Sequence, residues 1–402
     1  MLHRSLIRNV SILATCQAFF FMANTIQITT SALVGLQIAP SPALATLPLA
    51  AQFVGNMLAT MPASLLMARI GRRLGLLLGS LFGVLSGLLA TWAVVQASYP
   101  LFMTAGLLYG VFGAFSQYFR FTAADAADAS DARDKVAARA RAIALVMAGG
   151  LVAAVLGPEL AKATQDLLPP FVFAGCYLMI ATVAFCCGVA LAFLDLPHKV
   201  ATTSDAPARP LLEIVRKPEA ITAFAAALVA YVTMNMLMTA TPLAMLACGY
   251  AFADSAMVIQ WHVVGMFAPS FFSGSLIARF GAERIIAFGG LLMLACIGTN
   301  LAGIEVVNFV ASLLLLGLGW NFMFIGGTTL LTQAYRPSEK AKVQGFNDLC
   351  LFSAVAASAA ASGALHEWLG WQPMNIAALP LLLAVILLAV IRAARRPLAA
   401  PV

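Results

Sequence analysis

Ser64-Leu-Leu-Met-Ala-Arg-Ile-Gly-Arg-Arg73 is echoed by Gly274-Ser-Leu-Ile-Ala-Arg-Phe-Gly-Ala-Glu283, 210 positions later in a 402-residue chain. The leucine, alanine, arginine and glycine of the first copy recur in register in the second. Each copy ends one apolar run and precedes another. A repeat at half the chain length predicts one structural unit that is used twice.

The composition places the chain in a membrane. Hydrophobic residues make up 62% of the sequence and charged residues 10%, whereas soluble domains carry about 25% charged residues. The net charge of +7 is spread over short breaks between apolar runs, which argues against a nucleic-acid surface. We therefore expect a polytopic membrane protein whose solvent is the lipid bilayer.

The number of membrane spans follows from run length and charge. Runs long enough to cross about 30 Å of hydrocarbon recur twelve times. They lie at about 10–34, 43–68, 74–97, 100–122, 141–163, 169–194, 219–246, 254–279, 284–303, 306–332, 342–364 and 371–392. With the N-terminus inside, every basic residue except Lys162 falls on the cytoplasmic side, as the positive-inside rule requires. We predict an all-α protein of the cell inner membrane with both termini cytoplasmic.

The polar breaks suggest the domain limits. We predict one six-helix bundle at 1–195, a cytoplasmic linker at 196–218 and a second bundle at 219–402. The part at 211–217 favours either a short amphipathic helix or flexible chain. The acidic residues between spans 4 and 5 are interpreted as a solvated loop; they are Asp125, Asp128, Asp131 and Asp134.

Twelve spans and this repeat resemble the major facilitator superfamily, whose two halves carry a Gly-x-x-x-Asp-Arg-x-Gly-Arg-Arg-type signature after helices two and eight. The matching positions are Ser64, Ala68, Arg69, Gly71, Arg72 and Arg73, and more weakly Gly274, Ala278, Arg279 and Gly281. Alanine replaces the acid in both copies. The resemblance implies two pseudo-symmetric bundles and secondary transport by alternating access.

A second stretch resembles the family's proton antiporters. Ala153-Ala-Val-Leu-Gly157-Pro158-Glu-Leu-Ala161 is similar to their Gly-x-x-x-Gly-Pro-x-x-Gly signature, with alanine at the outer glycines. This similarity favours efflux. Small residues also permit close packing of helices, which is the structural alternative.

Polar residues at membrane depth are the candidates for the substrate cavity, because a lipid-facing helix does not tolerate them. The resemblance assigns helices one, four, seven and ten to the cavity lining. The candidates on these helices are Asn24, Gln27, Gln117, Asn235, Trp320 and Asn321. Gln52 and Asn56 in span 2 are weaker candidates for ligand contact. Amides and aromatic rings suit a neutral or amphipathic organic solute, although each amide has the alternative of an interhelical hydrogen bond.

Ionisable residues are the candidates for gating and proton coupling. Asp348 is predicted to latch onto Arg69, Arg72, Arg73 or Arg120 in place of the acid missing at Ala68; the alternative is that it carries a proton. Glu159 and His262 are further coupling candidates. Gly71 and Gly281 are expected to form tight turns, and Gly157 and Pro158 to shape the packing of span 5.

The sequence favours a transporter rather than an enzyme, since it contains no nucleotide loop, metal-binding motif or nucleophile elbow. We expect no cofactor and no metal, and a monomer that moves a small organic solute with protons as the coupling ion. Efflux of a drug or metabolite is the first hypothesis. Uptake by symport or facilitated diffusion is the alternative, and a membrane sensor or assembly protein is the alternative from another class.

Overall fold

The computed structural model describes residues 2–128, 135–196 and 209–395, and this part of the chain is helical throughout, without strands. Eleven helices are long and apolar enough to cross a membrane. Phe252–Phe267 and Ser270–Phe280 together make a twelfth candidate span, bent by 43°. The predicted all-α architecture with twelve spans is confirmed.

The chain divides into two compact units, Met1–Ala201 and Thr202–Val402. The helices of the first unit are α1 (Leu2–Ile38), α2 (Leu47–Ile70), α3 (Arg72–Val95), α4 (Tyr99–Ser116), α5 (Phe119–Asp128), α6 (Lys135–Thr164) and α7 (Ala174–Leu191). Helices α4 and α5 form one span, Tyr99–Asp128.

The second unit begins its described part with a short helix, α8 (Leu211–Val215), whose Ile214 is buried. It continues with α9 (Pro218–Ala247), α10 (Phe252–Phe267), α11 (Ser270–Phe280), α12 (Ala282–Ala302), α13 (Val306–Thr332), α14 (Lys340–Leu369), α15 (Trp371–Ala377) and α16 (Leu379–Arg395). Helices α10 and α11 are the bent pair.

The repeated stretch forms the same turn in both units. Gly71 separates α2 from α3 with φ 90° and ψ 156°, and Gly281 separates α11 from α12 with φ 86° and ψ 151°. Only glycine adopts this region without strain. Both glycines thus have the backbone conformation that the predicted tight turn requires.

Close packing of α6 on α1 explains the Gly-Pro stretch in structural terms. A Cβ atom at Gly157 would lie 2.8 Å from the Cβ of Thr25. Pro158 is buried inside α6, and Ala153 and Ala161 are fully buried. The small residues therefore bring two helix backbones together, which is the alternative to an antiporter role.

An ion pair joins the first span of each unit to its last span or to the segment directly after it. In the first unit, Arg8 contacts Asp195 at 2.9 Å, and the Asn9 amide donates to the Asp195 carbonyl at 2.7 Å. In the second unit, Arg392 contacts Glu219 at 2.8 Å. The basic partner stands on the first span in one unit and on the last span in the other.

The interpretation of the acidic cluster as a solvated loop is wrong for Asp125. Span 4 does not end near residue 122 but continues as a helix to Asp128, so Asp125 lies on α5. Asp128 is the last residue of the same helix, so the loop interpretation is wrong for it too. The prediction considered a short helix from the spacing of the acids but preferred a loop, although the alanines around them favour helix. Asp131, Asp134 and the linker stretch 202–208 lie outside the described residues.

Candidate functional site

Two amides bridge α1 and α2 in the first unit. The Gln52 Nε2 atom donates to Asn24 Oδ1 at 3.1 Å. Gln52 is 6% exposed, and its Oε1 atom is buried with no hydrogen-bond partner. An unmet buried acceptor costs about 1–3 kcal/mol, so this atom is poised to accept a hydrogen bond from a ligand or from water.

Gln52 begins a polar column on one face of α2. Asn56 and Thr60 follow it at intervals of four residues, and the Thr60 hydroxyl contacts the Asn56 carbonyl oxygen at 2.7 Å. The Tyr118 hydroxyl, at the start of the second segment of span 4, donates to the Thr60 carbonyl at 3.3 Å. Residues four apart share a helix face, so the column connects α2 with span 4.

Aromatic rings from α1 and α4 lie beside Asn24 and Asn56. Phe20 lies one turn before Asn24 and packs edge-on against Phe112, with ring centroids 5.4 Å apart. Tyr109 completes the group at 6.4 Å from Phe20. A Cβ atom at Gly113 would lie 3.1 Å from the Asn56 amide nitrogen and 3.8 Å from Phe20. The first unit thus places amides and flat apolar surfaces side by side.

The second unit contains an aromatic platform on α9 and α13. Trp320 stacks on Phe324 with centroids 5.0 Å apart and an interplanar angle of 9°. Tyr231 meets both rings edge-on, at 5.2 Å and 5.4 Å. The Trp320 Nε1 atom is buried without a hydrogen-bond partner. This platform suits a planar aromatic ligand that also carries an acceptor.

The amides of Asn321 and Asn235 bond to the protein itself. Asn321 donates to the Met266 carbonyl at 2.6 Å and to Ser270 Oγ at 2.7 Å, and its Oδ1 lies 2.6 Å from Ser273 Oγ. These partners surround the bend between α10 and α11. Asn235 donates to the Val355 carbonyl at 3.3 Å.

The remaining two cavity candidates lie in the first unit. Gln27 is 3% exposed on α1, one turn beyond Asn24. Gln117 is half-buried at the junction of α4 and α5. Nothing in the geometry brings either into the amide pair, so a substrate role for them stays a prediction.

The arginines of the repeated stretch have different surroundings. Arg72 donates to Asp125 Oδ2 at 3.0 Å, and its guanidinium lies 5.4 Å from the centroid of the Tyr118 ring. Arg73 donates to the Ala192 carbonyl, whereas Arg69 is exposed. Among the described residues of the first unit, Asp125 is therefore the acid that pairs with this stretch, and the sequence analysis placed it in a loop.

Asp348 lies half-buried on α14 and accepts a hydrogen bond from Asn347 at 3.2 Å. It belongs to the second unit, so its latch to Arg69, Arg72, Arg73 or Arg120 stays a prediction. Arg120 itself lies 4.9 Å from the Phe121 ring centroid.

The other ionisable candidates differ in burial. Glu159 is half-exposed and forms a local ion pair with Lys162 at 2.6 Å. His262 is fully buried; its Nδ1 lies 2.8 Å from the Leu313 carbonyl, and its Nε2 has no hydrogen-bond partner. Neither contact tests a role in proton coupling. Among the described residues, no group of three or more His, Cys, Asp or Glu could hold a metal ion.

The buried carboxylate of Glu339 binds Arg209 of the predicted linker, and both residues belong to the second unit. Glu339, with a side chain that is 0% exposed, accepts from Arg209 Nε at 2.7 Å and from Arg209 NH2 at 2.6 Å. Lys342 donates to the Arg209 carbonyl at 2.9 Å. Hydrogen bonding to the guanidinium holds the pKa of Glu339 well below its usual range and raises that of Arg209. Both groups are charged at physiological pH.

An apolar cavity of about 280 Å³ lies between α8, α9 and α14. Phe224 and Phe346 line it edge to face, with centroids 5.8 Å apart. Asn347 is the amide in its wall. One amide among apolar groups gives little specificity for a polar heterocycle.

Sequence reasoning weighed Gln52 and Asn56 of span 2 as weaker ligand candidates and missed Thr60 and Tyr231. Gln52, Asn56 and Thr60 carry a readable signal, because polar residues at intervals of four in an apolar span predict a buried face. Tyr231 and Asp125 had no such signal, since their partners lie far away in the sequence. Two helical units, membrane spans and paired polar and aromatic groups inside them describe a membrane protein built to handle a small molecule.

Comparison with known proteins identifies the family. The sequence model of the Major Facilitator Superfamily matches residues 13–299 and 223–401, which together span nearly the whole chain. The chain therefore belongs to the major facilitator superfamily, and it is a multi-pass membrane transporter of that type.

Individual relatives refine this picture. The chain is 38% identical over 388 residues to Riboflavin transporter RfnT of Brucella anthropi, covering 96% of both chains. It is 28% identical over 247 residues to an uncharacterised MFS-type transporter, YddS, of Bacillus subtilis, and spans about half the length of that relative (56%). The crystal structure of a bacterial homologue of the iron transporter ferroportin, in an outward-facing state, aligns with a TM-score of 0.65 at 16% identity. This alignment covers 96% of this chain and all of the other, and it shows the fold alone.

Proposed function

We propose that this protein takes up riboflavin, or a closely related flavin, across the cell inner membrane. The observation that carries the proposal is the 38% identity to a riboflavin transporter along 96% of both chains. The match includes both units, so it covers the amide pair and the aromatic platform. It supports the uptake alternative of the sequence analysis better than efflux.

The chemistry of the ligand agrees with the residues available. Riboflavin has a flat, three-ring heterocycle, a cyclic imide at one edge and a hydroxylated side chain. The rings of Tyr231, Trp320 and Phe324 offer aromatic faces and edges, and Trp320 Nε1 offers a donor that is unmet within the protein.

Uptake of radiolabelled riboflavin into proteoliposomes tests the proposal. Stacking of a planar base on an aromatic side chain contributes about 1–3 kcal/mol, and a tenfold change takes about 1.4 kcal/mol. Trp320→Ala should therefore raise the half-saturating concentration by about 5- to 150-fold, whereas Trp320→Phe retains most of the affinity. Trp368→Ala is the matched control, because Trp368 is 75% exposed. The absence of riboflavin uptake by the wild-type protein would overturn the proposal.

We further propose that protons drive this uptake. Asp348 and His262 are two of the buried or half-buried ionisable groups on spans of the second unit, and we take them as the candidate proton carriers. Uptake is measured with and without an imposed pH gradient in Asp348→Asn and His262→Gln. Loss of the response to the gradient identifies the carrier. Asp166→Asn is the control, since Asp166 is an exposed acid between α6 and α7. A wild-type response that is absent refutes proton coupling.

A further inference from the structure

We propose that Asn24 and Gln52 recognise the imide edge of the flavin ring, with the Gln52 carbonyl oxygen accepting the ring N–H. The inference rests on the proposed riboflavin uptake and names the subsite within it. It follows from the hydrogen-bonding groups that the two amides leave unused after they bond to each other.

The internal bond consumes one donor and one acceptor. Gln52 Nε2 donates to Asn24 Oδ1 at 3.1 Å, which leaves Gln52 Oε1 as an acceptor and Asn24 Nδ2 as a donor. The Gln52 oxygen is buried without a partner, on a side chain that is 6% exposed. Asn24 is half-buried, so its amide is the more accessible of the two.

The pair offers one free hydrogen-bond donor and one free acceptor whichever way the two amides are oriented. An amide oxygen and nitrogen exchange places when the group rotates by half a turn. If both amides rotate, Asn24 becomes the donor to Gln52, and one acceptor and one donor again remain. The pair therefore always offers two-point recognition of a ligand group that carries an N–H beside a C=O.

A cyclic imide is such a group. Its ring N–H stands between two carbonyl oxygens, so it can donate to one amide and accept from the other at the same time. Phe20 lies one helical turn from Asn24 and packs against Phe112, which places flat apolar surface beside the amides. The combination favours a planar imide over a sugar or a charged solute.

Buried amides in the described part of the protein differ in whether their acceptors are met. Asn300 of α12 donates to Asn375 at 2.7 Å and, like Gln52, has a buried oxygen without a partner, whereas Asn321 does not. Asn321 has a partner for its oxygen and two partners for its nitrogen, all within 2.7 Å. Its amide nitrogen and oxygen both have partners within the protein. Gln52 bridges two helices as Asn321 does but keeps an unmet acceptor, and the half-buried Asn24 and the Phe20–Phe112 rings beside the pair are what favour a ligand there.

The main chain of α2 at Gln52 is also held in place by α4. Gly110 of α4 packs directly on the Gln52 carbonyl oxygen of the main chain, where a Cβ atom would overlap it. Close backbone contact on this side limits the movement of α2 at residue 52. A fixed acceptor discriminates between ligands better than a mobile one.

The test uses riboflavin and 3-methylriboflavin, in which a methyl group replaces the hydrogen on the imide nitrogen. Each compound competes with radiolabelled riboflavin for uptake by proteoliposomes. The wild-type protein should prefer riboflavin by about 10- to 100-fold, because a site built around a hydrogen bond rejects the analogue that lacks it. This measurement needs no variant, so it stands even if a substitution impairs folding.

Gln52→Met removes the acceptor at nearly constant volume. We expect this variant to bind riboflavin about 10-fold or more weakly and to treat the two compounds alike. Gln17→Met is the matched control, because Gln17 is also buried on a membrane span, and it should retain the wild-type preference. A Gln52→Met protein that still discriminates as the wild type does would overturn the inference.

The outcomes separate this inference from the function on which it rests. If the wild-type protein fails to transport riboflavin, the proposed function fails. If it transports riboflavin and 3-methylriboflavin equally well, riboflavin uptake stands and the imide subsite fails.

Discussion

Asn321 is expected to hold the bend of span 8, and its replacement by leucine tests this role. The substitution keeps the volume of the side chain and removes its hydrogen bonds to Met266, Ser270 and Ser273. The Met266 carbonyl lies at the break between α10 and α11, next to Pro269, where the regular ladder is interrupted. Without the asparagine, this carbonyl loses a partner inside a membrane span.

The size of the effect can be bounded. Leaving a buried acceptor unmet costs about 1–3 kcal/mol, while double-mutant cycles in membrane helices average about 0.6 kcal/mol per side-chain hydrogen bond and reach about 1.7. Because Asn321 makes three bonds shorter than the usual 2.9 Å, we expect Asn321→Leu to cost about 1–3 kcal/mol. Asn235→Leu should cost about 0.5 kcal/mol, since the bond of Asn235 to the Val355 carbonyl is 3.3 Å long.

The free energy of unfolding is measured by denaturant titration in mixed lipid–detergent micelles, followed by tryptophan fluorescence. A cycle with Ser270→Ala isolates the Asn321–Ser270 contact and should give a coupling of roughly 0.6–1.7 kcal/mol. The reasoning is refuted if Asn321→Leu is no more costly than Asn235→Leu. Strict additivity in the cycle would also refute it.

Three further predictions concern the turns and the ion pairs. Gly281→Ala forces a side chain into a backbone region that only glycine favours and should cost about 1–3 kcal/mol in the same titration; Gly298→Ala, which meets open space, should be close to neutral. The pKa of Glu339 is lowered in the folded protein, so its ion pair stabilises at every pH above the unfolded value of about 4.3 and is lost only as pH falls through the lower folded value. Glu339→Gln should therefore lower the melting temperature equally from pH 5 to 8, with the difference closing only in strong acid; a difference that closes between pH 6 and 8 would contradict this. Asp125→Asn should cost about 1.5 kcal/mol of stability and slow riboflavin uptake, with partial recovery in Asp125→Glu. Unchanged uptake and stability would show that the Arg72–Asp125 contact has no role in gating.

Span number could be predicted from the sequence because it depends on local quantities. The length of an apolar run and the sign of the charges that follow it are readable one segment at a time. The bend in span 8 had a local signal too, since Pro269 stands within the run. Its stabilisation by Asn321 had none, because the two positions are 52 residues apart and meet only through packing.

The candidate site was predicted in part. Asn24 and Trp320 were identified as polar or amphipathic groups at membrane depth, and both lie in the arrangements described above. Their partner Gln52 was weighed only as a weaker candidate and Tyr231 was not assigned to the site, because a single sequence does not reveal which helices are neighbours. The substrate class came from similarity to a known transporter, since amides and aromatic rings alone suit many neutral solutes.

The ion pairs that join the first span of each unit to its last span or to the segment directly after it bear on how a duplicated chain assembles. Arg8 pairs with Asp195, and Glu219 pairs with Arg392. Two similar six-helix halves in one chain can exchange their closing helices during synthesis, a characteristic fault of repeated architectures.

The acidic and basic partners are reversed between the two units, and this reversal makes the exchange unfavourable. A first span that captured the wrong closing helix would set Arg8 against Arg392 and leave Glu219 facing Asp195, and like charges at close range repel. A pair that adds little to the stability of the finished protein can thus favour the correct assembly while the chain is still being inserted. The charges of each first span thus match the closing segment of its own unit and not that of the other unit.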